Sequence, residues 1–278
     1  MARSINIQQL PSVHEFLECF ESSPGTTLVY TDVSSLEPHV LTYYSRDPRM
    51  MSLYGPGAKP NDIYLFFGAH VPAFSEEILK YYDPENPTKE SIKAAKKNCK
   101  ATRDTLKTIV LGKSYGMGAK LAVSKLQAKG IDITLDEAKK ITRLYDNFFG
   151  GVKKFGTVLL AQWEEQGYIM NGSNRPLAVD RDKSKDLTSR FIQSTGHDFF
   201  QHIIAYIGKE RHTRGLDMRP YLVDEHDATI WQVADRDVEH AVKLFEDAYA
   251  ALNEELGWDV KFRGSIKTGK TLSEVKLS

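Results

Sequence analysis

The sequence predicts an α+β protein in which an antiparallel sheet carries a helical insertion. Two observations lead to this prediction. Segments rich in β-branched and aromatic residues lie toward both ends of the chain, whereas residues 88–167 have helical periodicity. Strands at the two ends with a helical block between them are typical of α+β proteins.

The first predicted elements follow from local signals. Residues 26–33, TTLVYTDV, come after a Pro24-Gly25 turn and predict a buried strand. A helix is expected over residues 36–44, ending before Pro48.

Periodicity and turn residues predict the later elements. Helices are expected over residues 88–112, 135–149, 152–167, 186–207 and 237–256. Thr134 and Glu137 have the spacing of a capping box at the start of the second of these. Strands are expected over residues 219–223, 228–233 and 258–266, with a polar turn at 224–227.

Composition excludes several classes of protein. Of 278 residues, 41% are hydrophobic and 27% charged, which excludes wholesale disorder. Two cysteines make a disulfide framework improbable, and no apolar run approaches the roughly 18 residues that span a bilayer. We therefore expect a soluble, cytoplasmic protein that does not enter a membrane.

The balanced charge, 37 basic against 37 acidic residues, conceals an asymmetry along the chain. Basic residues dominate positions 89–129, where only Glu90 and Asp104 oppose them, and acidic residues dominate positions 224–259. A polyanion held on one side and a metal on the other would explain this pattern. Two solvated helix faces explain it equally well.

Two aspartates and one helix face suggest chemistry. Asp32 ends the first predicted strand and Asp227 lies in the later turn. Carboxylates at strand ends of one sheet can share divalent cations, and their oxygens suit Mg²⁺, although solvated turns also carry aspartates.

The helix face is formed by residues that recur every four positions, namely Arg103, Lys107, Leu111 and Tyr115. Two cations one turn apart fit a polyphosphate, and a terminal aromatic ring can stack on a base. An exposed lysine-rich helix closed by Gly116 would account for the lysines but not for the whole pattern.

These residues resemble the motifs of family A (DNA polymerase I-like) DNA polymerases. The spacing Arg103-x3-Lys107-x3-Leu111-Gly112-x2-Tyr115-Gly116 resembles the fingers-helix motif. Five further segments resemble family motifs, in family order. The segment 6–11 resembles N-L-Q-N-I-P, Asp32-Val-Ser-Ser-Leu-Glu37 resembles D-Y-S-Q-I-E, and Asp62-Ile63 resembles D-I-H. Arg190-Phe-Ile-Gln193-x-Thr195-x2-Asp198 resembles Q-G-T-A-A-D, and His226-Asp227 resembles H-D-E.

The resemblance implies a role for each matched residue. Asp32 and Asp227 would hold two Mg²⁺ ions together with the Val33 carbonyl. Arg103 and Lys107 would bind the triphosphate of a dNTP, and Lys107 would protonate the leaving pyrophosphate. The remaining implied contacts are Glu37 as steric gate against ribose, Leu111 and Tyr115 at the nucleotide, and Tyr115, Arg190, Gln193 and His226 at the DNA primer-template.

The sequence departs from the family pattern at several motif positions. Leu111 replaces an aromatic residue, Ala228 replaces the Glu of H-D-E, and Tyr64 replaces the His of D-I-H. Asp224 and Glu225 lie close to the missing carboxylate in sequence. We interpret the chain as a divergent, phage-like member.

The resemblance also implies a domain division: palm over residues 1–47, fingers over 48–170, and palm again over 171–278. The family places a thumb before N-L-Q-N-I-P, which here begins at Asn6. We therefore expect either a piece of a longer protein or one subunit of a split polymerase. In the second case another polypeptide would supply the thumb, with or without a 3′–5′ exonuclease, and bind at Val13, Phe16, Leu17 and residues 6–11.

Two other functions compete with a DNA polymerase. A single-subunit RNA polymerase-like enzyme shares much of the pattern, but Glu37 would exclude a 2′-hydroxyl. A catalytically silent nucleic-acid-binding subunit would not need Asp32, Asp227, Arg103 and Lys107. Residues 264–271 match the P-loop pattern G-x4-G-K-T, but we expect no helix after Lys270 and interpret them as the last strand and its turn.

Overall fold

An antiparallel four-stranded sheet in the order β4-β5-β1-β6 organises the N-terminal and C-terminal parts of the chain. The structure is a computed structural model, and it describes residues 13–180, 186–225 and 227–277. The strands are β1 (Thr26–Val33), β2 (Tyr168–Met170), β3 (Pro176–Ala178), β4 (Met218–Glu225), β5 (Ala228–Ala234) and β6 (Gly264–Gly269). Strands β2 and β3 form a separate hairpin.

The α-helices of the described residues lie mostly between β1 and β4. They are α1 (His14–Glu18), α2 (Leu36–Ser45), α3 (Pro48–Tyr54), α4 (Ile63–Gly68), α5 (Pro72–Leu79), α6 (Lys89–Asn98), α7 (Lys100–Ser114), α8 (Ala119–Gln127), α9 (Leu135–Phe148), α10 (Gly150–Gln166), α11 (Leu187–Thr213), α12 (Val238–Leu256) and α13 (Leu272–Lys276). Together with the antiparallel sheet they confirm the α+β class.

The chain divides into two compact units. The first contains the residues up to Leu36 and those from Thr195 onward, and the second contains Glu37–Ser194. The predicted fingers limits, 48 and 170, lie inside the second unit. The assignment of palm and fingers to particular residues stays a prediction.

In the first unit, side chains of alternate strand residues face opposite sides of the sheet. On one side Leu28 and Ile230 pack with Leu17, Leu272 and Val275 from α1 and α13. On the other side α12 packs, and its Tyr249 hydroxyl forms a 2.8 Å hydrogen bond with the Thr31 hydroxyl. Asp32, one residue further, is thus on the side of Leu28.

In the second unit, an aromatic cluster connects α4 with α9 and its C-terminus. Phe67 contacts the rings of Tyr145, Phe148 and Phe149 at centroid distances of 5.6, 5.6 and 5.9 Å. Such edge-to-face and tilted contacts add to the free energy of burying large rings. The cluster therefore fixes α9 against α4.

Several predicted elements are confirmed. The first strand covers the predicted residues, and the Thr134–Glu137 capping box is present at the start of α9. Helices α2, α10 and α12 agree with prediction to within two residues at each end, and α11 extends beyond its predicted end to Thr213.

Other predicted elements are wrong. The single helix over 88–112 is broken at Cys99, which has φ −111° and ψ 33° and is buried with its thiol directed at the Glu77 carbonyl oxygen. The last strand begins at Gly264 instead of 258, because Trp258 and Phe262 are apolar for another reason: they pack with Phe199 in the core.

Short elements without strong signals were not predicted, namely α1, α3, α4, α5, α8 and the β2–β3 hairpin. Two further expectations need correction. Leu17 is 2% exposed and belongs to the core, so it offers no surface to a partner, whereas Val13 and Phe16 are 50% and 38% exposed. A helix, α13, does follow Lys270, and Thr271 caps it.

Candidate active site

The Asp32 carboxylate occupies the end of a central strand. Strand β1 lies between β5 and β6, and Asp32 is paired with Ala228 on one neighbour and Ser265 on the other. Its Oδ1 atom is buried and has no hydrogen-bond partner in the described part of the chain. Burial raises the pKa of the Asp32 carboxyl, and the nearby positive charge of Lys267 opposes this shift. A buried oxygen without a donor costs free energy, which a bound cation would remove.

Asp227 is held next to the same strand end. The Val33 amide donates a hydrogen bond of 2.9 Å to the Asp227 carbonyl oxygen. Burial first, and then the charges of both Asp32 and Asp227, raise the pKa of the Tyr249 hydroxyl. Both aspartates therefore lie near the Tyr249 hydroxyl, and their sharing of one metal site stays a prediction.

The donor set fits a hard divalent cation that keeps other oxygen ligands. Two carboxylates suit Mg²⁺, which is usually bound by one or two carboxylates together with water or substrate phosphate. No group of three or more His, Cys, Asp or Glu side chains arranged for a metal is found within residues 13–180, 186–225 and 227–277. Ala228, opposite Asp32, leaves the H-D-E position without a carboxylate. The ligand role of the Val33 carbonyl stays a prediction.

Helix α7 presents the predicted row of residues in the second unit. Arg103, Lys107 and Leu111 are on one face, and Tyr115 ends the helix as its C-cap residue. Lys107 is exposed, and Leu111 and Tyr115 are half-buried. Gly116 follows with φ 81°, a conformation that glycine adopts without strain. The row of residues therefore lies on one helix, α7, and Gly116 follows its C-cap residue.

Arg103 is held by a buried carboxylate. Its Nε and Nη2 atoms donate to Asp62 Oδ2 at 3.0 and 2.8 Å, and Lys96 Nζ lies 3.2 Å from the same oxygen. The other oxygen, Oδ1, accepts from the amides of Tyr64 and Leu65 at 3.1 Å and so caps α4. The guanidinium carbon lies 5.0 Å from the centre of the Tyr64 ring.

The sequence did not predict this arrangement. Asp62 was matched to a motif, but its contact with Arg103 joins residues 41 positions apart. An aspartate directly before an apolar run is typical of a helix N-cap. That pattern predicts the cap of α4 by Asp62, but it does not predict the ion pair with Arg103. Lys96 lies on α6 and matches no motif.

Glu37, the predicted steric gate, contacts Tyr115 in this structure. The Tyr115 hydroxyl donates a hydrogen bond to Glu37 Oε2. Glu37, Leu111 and Tyr115 also line a cavity of about 10 Å³, which has room for one water at most. Three of the predicted nucleotide contacts are therefore brought together.

Tyr115 also lies where two basic clefts adjoin. A cleft of about 840 Å³ is lined by Lys107, Lys125 and Lys129 as well as Tyr115. A second, of about 500 Å³, is lined by Tyr115, Lys125 and Gln193 among others. Each cleft also has one aspartate in its lining, Asp104 in the first and Asp186 in the second, so lysines outnumber acidic residues in both. Lysines beside an aromatic ring are a combination that suits nucleic acid.

The other predicted DNA contacts are less defined. Arg190 and Gln193 are exposed and lie three residues apart on α11. Gln193 faces the second cleft, and Arg190 is not among the residues that line it. His226 lies outside the described residues.

The P-loop pattern does not form a phosphate site. Lys270 Nζ donates to the Thr26 carbonyl oxygen, Thr27 Oγ1 and Asp235 Oδ1 at 2.7, 2.9 and 2.7 Å. A lysine with three protein acceptors has no donor left for a phosphate. The interpretation of this segment as the last strand and its turn is therefore confirmed.

Comparison with known proteins identifies the family. The model of the family described as DNA polymerase family A matches residues 1–274. The DNA polymerase of Mycobacterium phage D29 is 29% identical over 180 residues, which cover 65% of this chain and 25% of the phage protein. DNA polymerase I of Chloroflexus aurantiacus is 24% identical over 267 residues, which cover 90% of this chain and 25% of that protein.

Among solved structures, the POL domain of Pol1 from M. smegmatis, in complex with DNA primer-template and dNTP, has the same fold. The TM-score is 0.76 at 18% identity, covering 98% of this chain and 45% of that chain. The chain spans about a quarter of the length of the curated relatives that it matches. Because the family model extends over almost the whole sequence, the chain belongs to DNA polymerase family A.

Proposed function

We propose that this chain is the palm and fingers part of a DNA-dependent DNA polymerase. It transfers a nucleotidyl group from a dNTP to a primer 3′-hydroxyl. The observation that carries the proposal is the acidic pair at the end of β1, where Asp32 Oδ1 is buried without a donor and Asp227 lies one hydrogen bond from Val33. Family membership supports the proposal.

Asp32 and Asp227 hold two divalent cations in this proposal, with the Val33 carbonyl as a further ligand. When bound, two Mg²⁺ ions would ease ionisation of the primer 3′-hydroxyl and stabilise the charge around the α-phosphorus. The 3′-hydroxyl loses its proton to solvent, its oxygen forms a bond to the α-phosphorus, the bond from the α-phosphorus to the oxygen that bridges to the β-phosphorus breaks, and pyrophosphate leaves with that oxygen. Each aspartate keeps its charge throughout.

The second unit supplies the contacts to the nucleotide. Arg103, oriented by Asp62, binds the triphosphate, and Lys107 protonates the departing pyrophosphate. Tyr115 stacks on the nascent pair or template, and Gln193, Arg190 and His226 contact the primer-template. Exposed Lys107 is free to move toward a leaving group.

Sugar selection belongs to Glu37. Its carboxylate is tied to the Tyr115 hydroxyl, which limits the positions that it can take. A fixed carboxylate crowds a ribose 2′-hydroxyl, so dNTPs are preferred over rNTPs. This contact favours the DNA polymerase over the RNA polymerase-like alternative.

A partner and a location complete the proposal. We propose that a thumb, with or without an exonuclease, acts together with this chain, whether it is carried by the same protein or by a second polypeptide. Exposed Val13, which directly precedes α1, and exposed Phe16 on α1 are the proposed contact. No helix within the described ranges is long and apolar enough to cross a membrane. The phage relatives support a place of action in the cytoplasm of a bacterial host.

Primer extension tests the proposal. The chain, alone and mixed with candidate thumb proteins, is given primer-template, dNTPs and Mg²⁺. Asp32→Asn and Asp227→Asn should abolish extension, because each removes a charge that holds the cations. Glu239→Gln is the matched control, since Glu239 is an exposed acidic residue of α12 in the same unit.

Mn²⁺ binding followed by electron paramagnetic resonance separates the possible outcomes. Loss of Mn²⁺ binding in both aspartate variants, with DNA binding retained, would support the two-metal site. Full extension by Asp227→Asn would instead assign the ligand to another acidic residue. DNA binding without extension or Mn²⁺ binding by the unaltered chain would favour the silent subunit.

A further inference from the structure

The buried carboxylate of Asp62 does two things at once. Its side chain is 4% exposed, and each oxygen has a separate task. Oδ1 accepts the two amides that begin α4, and Oδ2 accepts both Arg103 donors and lies beside Lys96. Because the cap fixes the carboxylate, the guanidinium bound to it is fixed as well.

Arg103 keeps donors for a ligand while it is held. A guanidinium has five N–H donors, and Asp62 uses one on Nε and one on Nη2. The Nη1 edge and the second Nη2 hydrogen are left for phosphate oxygens. Arg103 is 21% exposed, so the side chain is packed on one side and reaches solvent on the other.

Lys96 cancels the charge of the carboxylate. A negative charge within 3 Å of Arg103 would by itself weaken the attraction of this arginine for an anion. Lys96 Nζ lies 3.2 Å from that charge, so Asp62 and Lys96 form a neutral pair. Arg103 and Lys107 then keep two positive charges toward a polyphosphate.

We infer that Asp62 and Lys96 are positioning residues that orient Arg103 for the triphosphate without reducing its charge. The inference rests on the proposed function in that Arg103 is taken to bind the triphosphate. The energetic benefit is that Arg103 does not have to be ordered when the ligand binds.

Replacement of both Asp62 and Lys96 tests the positioning of Arg103 without a change in net charge. The double variant Asp62→Asn with Lys96→Met leaves the net charge unchanged, and asparagine caps a helix as well as aspartate does. Binding of inorganic tripolyphosphate to the full chain is measured by isothermal titration calorimetry at physiological salt. We expect affinity to fall about 3- to 10-fold, the cost of ordering one freed side chain.

The matched control removes another neutral pair. Asp136 and Lys139 lie 3.0 Å apart on α9 and are largely exposed. The double variant Asp136→Asn with Lys139→Met should bind tripolyphosphate like the unaltered chain. Circular dichroism and the urea midpoint confirm that each variant is folded.

A double-mutant cycle separates positioning from a general structural effect. In an Arg103→Met background the Asp62–Lys96 substitution should change affinity less than two-fold, because the residue that it acts through is gone. An equal loss in both backgrounds would overturn the inference, as would unchanged or tighter binding in the Arg103 background. If the double variant does not fold, Lys96→Met is tested alone, because the Lys96 side chain is 47% exposed and its replacement should leave the fold intact. This single variant should bind tripolyphosphate more weakly, and unchanged affinity would overturn the inference.

Steady-state primer extension completes the test. The Asp62–Lys96 variant should raise KM for dNTP several-fold with a smaller change in kcat. If the unaltered chain with its thumb does not extend a primer, the proposed function fails, while the tripolyphosphate result still decides the role of Asp62 and Lys96. If extension occurs and KM is unchanged, only the positioning role fails.

Discussion

Removal of the Tyr249 hydroxyl should destabilise the first unit directly behind the acidic pair. Tyr249 and Thr31 exchange a 2.8 Å hydrogen bond, and they are 5% and 0% exposed. The variant Tyr249→Phe preserves the shape of the ring but leaves the Thr31 hydroxyl buried without this partner. A buried polar group left unsatisfied costs about 1–3 kcal/mol. We expect the free energy of unfolding to fall by about that amount.

Replacement of both Tyr249 and Thr31 should lower the free energy of unfolding less than either single replacement does. Thr31→Val is nearly isosteric and leaves the Tyr249 hydroxyl without its partner, so it should also destabilise. In the double variant no hydroxyl remains at this contact, and an apolar pair of the same shape is nearly neutral. The two single losses therefore should not add, and the coupling should be about 1 kcal/mol or more.

Urea unfolding at 25 °C, followed by tryptophan fluorescence, measures this coupling. Trp231 and Trp258 belong to the first unit and report on it, whereas Trp163 belongs to the second. Additive losses in the double variant, or single variants as stable as the unaltered chain, would refute the reasoning. Such a result would mean that the hydroxyls are satisfied in some other way.

Three other predictions concern Glu37, Tyr64 and Lys270. Glu37→Ala should raise incorporation of rNTP relative to dNTP by about ten-fold or more in primer extension, and equal use of both by the unaltered chain would favour the RNA polymerase-like alternative. Burial, and then the charge of Asp62, raise the pKa of Tyr64 to about 12. Because an unfolded tyrosine ionises near pH 10, stability should fall as the pH rises from 10 to 12, and Tyr64→Phe should weaken this dependence as measured by urea midpoints. Lys270→Met should lower the urea midpoint by removing three hydrogen bonds, and it should leave the calorimetric affinity for tripolyphosphate unchanged, because Lys270 has no donor left for a phosphate.

Local signals in the sequence predicted the elements with strong periodicity or turns. Residues 26–33 are rich in β-branched residues and follow Pro-Gly, and Thr134 with Glu137 makes a capping box, so both boundaries were correct. The break at Cys99 has no glycine or proline to announce it and depends on burial of the thiol beside the Glu77 carbonyl. Trp258 and Phe262 were taken as strand residues because local pattern does not distinguish a strand from a buried aromatic cluster.

In the candidate site, too, the sequence predicted the features that depend on neighbouring residues and did not predict the contacts between distant ones. The spacing of Arg103, Lys107, Leu111 and Tyr115 is contained within one helix, so the sequence alone placed them on one face. The contacts of Asp62 with Arg103 and of Glu37 with Tyr115 join residues 41 and 78 positions apart. No local signal encodes such contacts, since they depend on the packing of α2, α4 and α7.

The register of the sheet shows that no residue paired with Asp32 could replace it as a carboxylate ligand. Asp32 has Ala228 opposite it on β5 and Ser265 opposite it on β6, so neither directly paired residue supplies a carboxylate. The positive charge of Lys267 lies near enough to oppose the rise in the Asp32 pKa. A third carboxylate at position 228 would meet the buried Oδ1 of Asp32 as a like charge, at a Cβ separation of about 5 Å. With alanine there, this repulsion is avoided, and in the proposed site the cations would be held by Asp32 and Asp227 together with oxygen atoms that the substrate brings.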